Sequence, residues 1–335
     1  SIPTRAATRI ATCPGRRRAH DHGTYGYEGT DGVFARTAAV SAARRTRSLV
    51  VVSSGPRYQP YLDVAASPFR WRLGVRPLDL ADWLDLDEDY ESMIERKHEV
   101  MAEHPATAFA VLDGVEPESI EIRDAVAEHL EARDDPRVPP LDPSLHPLDA
   151  AARLVQEDLV FLVESDGRLV CGGGSVCFPN RWDLVSKIGR TMAEIHAPVA
   201  QLNDQLEDPI DRFFDRLTPE RAYWRLGWGV LDTDELYQPT DATAPPRAAD
   251  PRPGEHHLRV ERETLRRMPL TGCVLFTIRT YVCPIGTVPC PDDAAALADA
   301  IDAMPGDVAE YKQLDRVGPS VSRWLRRADA ESAAH

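Results

Sequence analysis

The side chains of this sequence best placed to do chemistry fall into two groups. The first is a single histidine, His196, inside the segment Phe178–Val199 that follows an apolar, Gly-rich strand. It stands where a short helix must end, because Pro198 pushes Ala197 out of the helical region and redirects the chain. An imidazole there has two uses. It can offer a neutral nitrogen to a metal, as an axial ligand does to a haem iron, or it can cap the last carbonyls of the helix as a favourable cation. His146, His256 and His257 are the alternative ligands; the last two are adjacent on a strand and so face opposite ways. Arg181, Lys187 and Arg190 are cations of the same segment, and each reads equally well as a solvated surface charge.

The second group is charged and lies on strands. Alternation puts Arg259, Glu261 and Glu263 on one face, with Val260 and Arg262 on the other. Thr277, Arg279 and Tyr281 share a face, opposite Ile278 and Thr280. Arg225 sits on a third strand between Trp224 and Leu226. Arg225, Glu261, Arg279 and Tyr281 would line one pocket if their faces meet. The competing reading is a buried Arg–Glu pair that holds the sheet together. Trp182, Trp224 and Trp228 would line a cavity or simply pack in a core, and Glu157 and Asp158 open a strand where they would cap or form ion pairs.

The elements that must position these residues follow from periodicity. Asp79 caps a short turn over Leu80–Leu84, and an amphipathic helix runs from about Glu88 to Glu103, with Tyr90, Ile94, Lys97 and Met101 near one face. A second helix covers 115–132, and a Pro- and Asp-rich break at Asp134–Pro147 precedes a short helix over 146–156. Leu159–Val163 and Arg168–Cys177 flank Ser165-Asp-Gly167, a strong hairpin turn. Helical segments at 182–195 and 205–216 follow, then strands at Tyr223–Leu231, His257–Glu261 and Gly272–Val282. Asp292–Met304 and Val308–Leu325 read as closing helices. Two strands, helices, then three strands is the order of a PAS-type domain. The expected fold class is therefore α+β: a PAS-like antiparallel five-stranded sheet with a helical insertion, plus N-terminal and C-terminal helices. The boundaries are an extension over 1–60, a helical region over 65–145, the PAS-like domain over 146–290 and C-terminal helices over 291–330.

Composition narrows the functional class. The 335 residues are 43% hydrophobic, enough for a real core, and the net charge of −15 argues against a nucleic-acid binder. Charge is uneven: residues 1–58 hold ten Arg against Asp21, Glu28 and Asp31, and read as a disordered tail or, alternatively, a transit-peptide-like leader. Lysine occurs only at 97, 187 and 312. The six cysteines form no CxxC, which argues against an iron–sulfur or zinc site and suits a reducing cytoplasm. No apolar run is long enough to span a membrane.

Seven motifs, in order, carry a resemblance: His146–Asp149, Arg153–Asp158, Ser175–Pro179, Lys187–Gly189, Ile195–Pro198, Arg259–Arg262 and Phe276–Tyr281. Over about residues 65–315 the sequence resembles the haem-dependent oxidative N-demethylase alpha-subunit family. The resemblance implies a PAS-like domain holding haem b, an oxygenase that uses O2 to remove a methyl group from a small secondary amine such as dimethylamine. It implies NADPH, FMN and an iron–sulfur cluster on a separate reductase subunit. His196 would then be the iron ligand, with Arg181, Lys187, Arg190 or Arg279 serving the haem propionates. Glu261 would bind the substrate ammonium or take its proton, and Tyr281 would hydrogen-bond bound oxygen. One departure stands out: Gly227, in Arg225-Leu-Gly-Trp228, occupies a place where the resemblance leads us to expect Asn. A haem or small-ligand sensor, or a relative that has lost haem, are the alternative functions.

Overall fold

A computed structural model describes residues 57–62, 69–199, 201–240, 251–288 and 291–332; the readings made for residues 1–56 lie outside the described residues. In chain order the elements are β1 (Arg76–Leu78), α1 (Tyr90–Glu103), α2 (Pro105–Ala108), β2 (Phe109–Val111), α3 (Glu116–Glu131), α4 (Pro147–Ala152), β3 (Asp158–Ser165) and β4 (Arg168–Ser175). They continue with α5 (Met192–His196), α6 (Leu202–Arg216), β5 (Ala222–Leu231), β6 (His257–Arg267), β7 (Val274–Pro284), α7 (Pro291–Asp302), α8 (Gly306–Tyr311) and α9 (Gly318–Ser332). The protein is α+β.

All five expected strands form, and they pair antiparallel in the order β5-β6-β7-β3-β4. The sheet has seven strands rather than five. β1 adds to the outer edge of β5 and β2 to the outer edge of β4, each through three residue pairs. Strands this short carry too little alternation to be read from sequence. They form because the long neighbours offer unpaired backbone edges. The Gly172–Gly174 run explains the close packing at β4. A Cβ at Gly173 would lie 2.6 Å from a Val111 methyl and 2.8 Å from the Phe161 ring, so only glycine lets β2 and Phe161 close over the strand.

Opposed residues of antiparallel strands share a face, and the two faces are covered differently. On one, α3 and α4 bury Ile122, Val126 and Leu148 against Leu159, Phe161 and Leu275, while α7 and α9 bury Leu297, Val321 and Leu325 against Leu258 and Val260. The segment 57–62, expected to lie largely within the outer extension, docks on this face. Tyr61 is fully buried there and Tyr58 packs on Trp224 and Tyr281. On the opposite face, the insertion between β4 and β5 sets Leu206, Ile210 and Phe214 of α6 on Val160, Leu162 and Leu265.

The insertion differs from the continuous helix expected over 182–195. A 3-10 turn at Val185–Lys187 is followed by residues that bond to the free edge of β4, with Gly189 N–H donating to Cys171 O at 2.8 Å and Cys171 N–H donating to Arg190 O at 2.9 Å. That edge is open because β2 pairs only with Gly173–Ser175. The helix therefore restarts at Met192, behind a capping box formed by Thr191 and Glu194. It ends at His196 as expected, but not by the expected means. Ala197 keeps right-handed helical angles (φ −51°, ψ −35°) ahead of Pro198, and the chain turns through a Val199 N–H bond to His196 O at 2.8 Å. No helix among the described residues is long and apolar enough to cross a membrane.

Candidate functional site

Strand register decides which predicted residues meet. Gly227 stands opposite Glu261, which stands opposite Thr280; Arg225 stands opposite Glu263, which stands opposite Ile278. These residues share the insertion face. Trp228, Val260 and Tyr281 form one row of the other face, and Leu226, Arg262 and Arg279 the next. The predicted four-residue pocket is thus divided. Arg225 and Glu261 lie on the same side as the insertion, and Arg279 and Tyr281 lie behind the sheet. The alternation along each strand is as expected, but the faces do not meet.

Behind the sheet, Arg279 is buried and ion-paired to Asp87 at 2.8 Å, while its guanidinium stacks over the Tyr281 ring at 4.4 Å. The Tyr281 hydroxyl donates to Asp85. Arg262 donates to the carbonyls of Asp82 and Trp83, so this row of cations and the Tyr281 hydroxyl fastens the segment before α1 to the sheet. Glu157 lies in the same place. Its Oε1 accepts from Asp85 N–H at 2.8 Å, its Oε2 has no partner among the described residues, and burial pushes its carboxyl up to about 7. Asp158 turns the other way and accepts from Cys177 and Phe178 N–H at 2.9 Å each, with Lys97 4.0 Å away.

On the insertion face, His196 is half-buried at the end of α5. Burial first, and then the positive charges of Arg225 and Lys187, push it down to about 4, so the imidazole is neutral at pH 7. Its Nδ1 is buried and makes no hydrogen bond among the described residues, which separates it from a helix cap. The rival histidines are placed otherwise. His146 caps α4 by accepting from Leu148 N–H at 3.3 Å, and His256 Nδ1 contacts the Arg252 and Pro253 carbonyls at 3.1 and 3.2 Å. His257 pairs with Leu231 at the start of β6; its Nδ1 is likewise buried without a hydrogen bond among the described residues, but it lacks the cations that act on His196.

The three cations of the insertion part company. Arg181 is held by Asp232 at 2.9 Å, and Arg190 is exposed and faces Glu194 at 3.4 Å. The Lys187 ammonium makes no hydrogen bond or ion pair among the described residues and acts on His196 electrostatically. Trp182 packs within the insertion, whereas Trp224 and Trp228 point behind the sheet.

A row of charges crosses β5 and β6 beside this histidine. Arg259 is fully buried and donates to Glu261 Oε1 at 2.8 Å and to Phe178 O at 2.6 Å. Arg225 donates to Glu263 Oε2 at 2.5 Å. Burial raises the Glu263 carboxyl above its ordinary range even against Arg225. Tyr223–Trp228 stay half-buried although β5 lies inside the sheet, and β1 pairs only with Ala222–Trp224 on its outer edge. Lys312, just after α8, reaches this open stretch and donates from Nζ to Trp228 O at 2.9 Å. Glu261, Arg225 and Glu263 all act on its charge.

Sequence reasoning did not place Lys312 at the site. The signal that could have found it is the scarcity of lysine. Lys97 is buried against the Val155 and Glu157 carbonyls just before β3, Lys187 acts on His196 and Lys312 on the glutamates, so each of the three has a specific environment.

The site thus joins a neutral, uncapped imidazole to a charged row on a half-open strand, in a chain whose other predicted polar residues fasten the fold. The family model described as haem-dependent oxidative N-demethylase, alpha subunit-like, matches residues 74–134 and 133–322, most of the chain, and the protein belongs to that family.

Proposed function

We propose that this chain is the haem-binding catalytic subunit of an oxidative N-demethylase acting on a small secondary amine of the dimethylamine kind. Under this reading the order β5-β6-β7-β3-β4 is a PAS-like sheet, and residues 146–290 form the haem-binding domain between the N-terminal and C-terminal helices. The observation that carries the reading is His196: a neutral imidazole with an unengaged, buried Nδ1, beside Arg225 and Lys187. Such a histidine fits an axial ligand, and Lys187 fits a propionate partner better than Arg181 or Arg190, whose guanidinium groups face carboxylates.

Haem bound here would supply iron that activates dioxygen. The chain's own residues do the rest. His196 donates a lone pair and fixes orientation from the end of α5. Arg225 and Lys187 would place positive charge near a bound haem and, after burial, help keep His196 unprotonated. Glu261, held by Arg259 through Oε1, accepts an N–H of the substrate ammonium through its other oxygen and can take its proton. Overall, one dioxygen, two electrons and two protons convert the N-methyl group to formaldehyde and leave the shortened amine and water. The electrons come from a partner reductase using NADPH, FMN and an iron–sulfur cluster. Arg279 and Tyr281 support the fold beneath this site.

The test is spectroscopic and then catalytic. The purified full chain, loaded with haemin, is expected to show a Soret band and about one haem per chain. His196→Ala is expected to weaken haem binding at least about tenfold, as loss of a ligand does. Failure of the wild-type chain to take up haem, or an unchanged Soret band in His196→Ala, overturns the assignment. Formaldehyde release from dimethylamine with an electron donor distinguishes an enzyme from a haem sensor.

A further inference from the structure

The helix that ends at His196 is finished by its neighbour. The carbonyls of the last turn of a helix have no intrahelical partners. One of those in α5, Ala193 O, accepts at 2.8 Å from Nδ2 of Asn203, in the first turn of α6. Val199 N–H donates to His196 O at 2.8 Å and Leu202 N–H to Val199 O at 3.2 Å, so the chain folds back directly after the histidine. An amide has two ends, and the bond to Ala193 O fixes which is which, because only the NH2 group can donate to a carbonyl. Oδ1 is the end left over, and it is buried with no hydrogen-bond partner among the described residues. His196, one turn after Ala193 on the same side of α5, carries the matching group: a buried Nδ1 that is equally unpartnered. Two bare polar atoms buried at one helix end are costly, and a proton shared between them would relieve both.

We infer that Asn203 is the positioning residue of His196: its Oδ1 accepts the Nδ1–H of the imidazole and leaves Nε2 to the iron. The inference rests on the haem reading above and deepens it. A neutral imidazole has one N–H and one lone pair, so an acceptor offered to one nitrogen makes the other the ligand. An N–H shared with an acceptor also makes the ring a stronger donor to a metal. The bond to Ala193 O holds the amide in place, so the orientation and the basicity of His196 both depend on a residue outside α5.

Resonance Raman spectra of the iron–histidine stretch, with the reduction potential of the haem-loaded full chain, test this through two variants. Asn203→Ala removes both ends of the amide. Asn203→Asp also loses the donor to Ala193 O but keeps an acceptor, now charged. Damage to the helix end is thus common to both, and only the acceptor differs. Asn203→Ala is expected to weaken haemin binding about tenfold, lower the stretching frequency and raise the potential, because the ligand loses basicity. Asn203→Asp is expected to hold the frequency and potential at wild-type values or move them the opposite way. A shift of the same sign in both variants, or failure of Asn203→Ala to lower the frequency, overturns the inference while the haem reading stands. A chain that takes up no haem, or a stretch that persists in His196→Ala, overturns the reading and the inference with it.

Discussion

Glu157 and Glu263 are both buried carboxylates, yet they sit on opposite faces of the sheet and differ in what compensates them. Glu263 has Arg225 at 2.5 Å. Glu157 has one side-chain-accepted backbone N–H, the repulsion of Asp85, only the unbonded charge of Arg279 in its favour, and a bare Oε2. Its folded-state value of about 7 lies above that of an unfolded glutamate, so the native state holds a proton that the unfolded chain releases. Its contribution to stability is therefore fully present below the unfolded value, declines as pH rises, and is lost above about 7. Glu157→Gln keeps the acceptor for Asp85 N–H and removes the ionisation. At pH 8 the variant is expected to be more stable than the wild type by up to about 3 kcal/mol, and at pH 4 nearly equal. Urea melts at the two pH values check this; an equal stability gap at both would refute the buried-acid description. The strand opening at Glu157-Asp158 was legible in sequence. Which of the pair would meet a cation was not, since Lys97 and Arg279 reach it from elements far along the chain.

The element that presents His196 is five residues long, too short to be stable alone. It depends on its cap: Thr191 N–H donates to Glu194 Oε2 at 2.9 Å, and Glu194 N–H donates to Thr191 Oγ1 at 3.3 Å. Thr191→Ala is expected to cost about 1 kcal/mol and, on the haem reading, to weaken haemin binding roughly fivefold by fraying the helix under the ligand. Haemin titration of the variant measures it, and unchanged affinity would show that α5 is held by its neighbours instead. The helix end at His196 was placed correctly in sequence, but the reason given for it fails, since Ala197 keeps helical angles ahead of Pro198. The break before Met192 was not legible, because the competing partner is the edge of β4, whose exposure depends on where β2 stops. The hairpin at Ser165-Asp-Gly167 was readable for the opposite reason: its turn chemistry is local, with Asp166 and Gly167 both at positive φ.

At the scale of the molecule, one sheet separates two chemistries, and helices from both ends of the chain pack against the face behind the site. Tyr61 shows how far the packed region extends. It is fully buried in the cluster with Leu297 and Val321, its ring 6.4 Å from that of Trp228. Tyr61→Ala is expected to lower the unfolding free energy by about 3–5 kcal/mol, the cost of emptying a large aromatic site in a core. Chemical denaturation reads this out, and a loss below about 1 kcal/mol would mean that the segment contributes little packing.

The sequence by itself determined the α+β class, the order of the five central strands along the chain and the faces of β6 and β7, because each rests on local periodicity or a local turn. Only the tertiary structure decided that Arg225 and Glu261 face the histidine while Arg279 and Tyr281 lie behind the sheet. Alternation assigns a face within a strand, but the register between strands assigns it to one side of the sheet, and register is set by long-range pairing. The meeting of Glu261 and Glu263 beside Gly227 and the reach of Lys312 belong to that same level, where residues meet only after the whole sheet has closed.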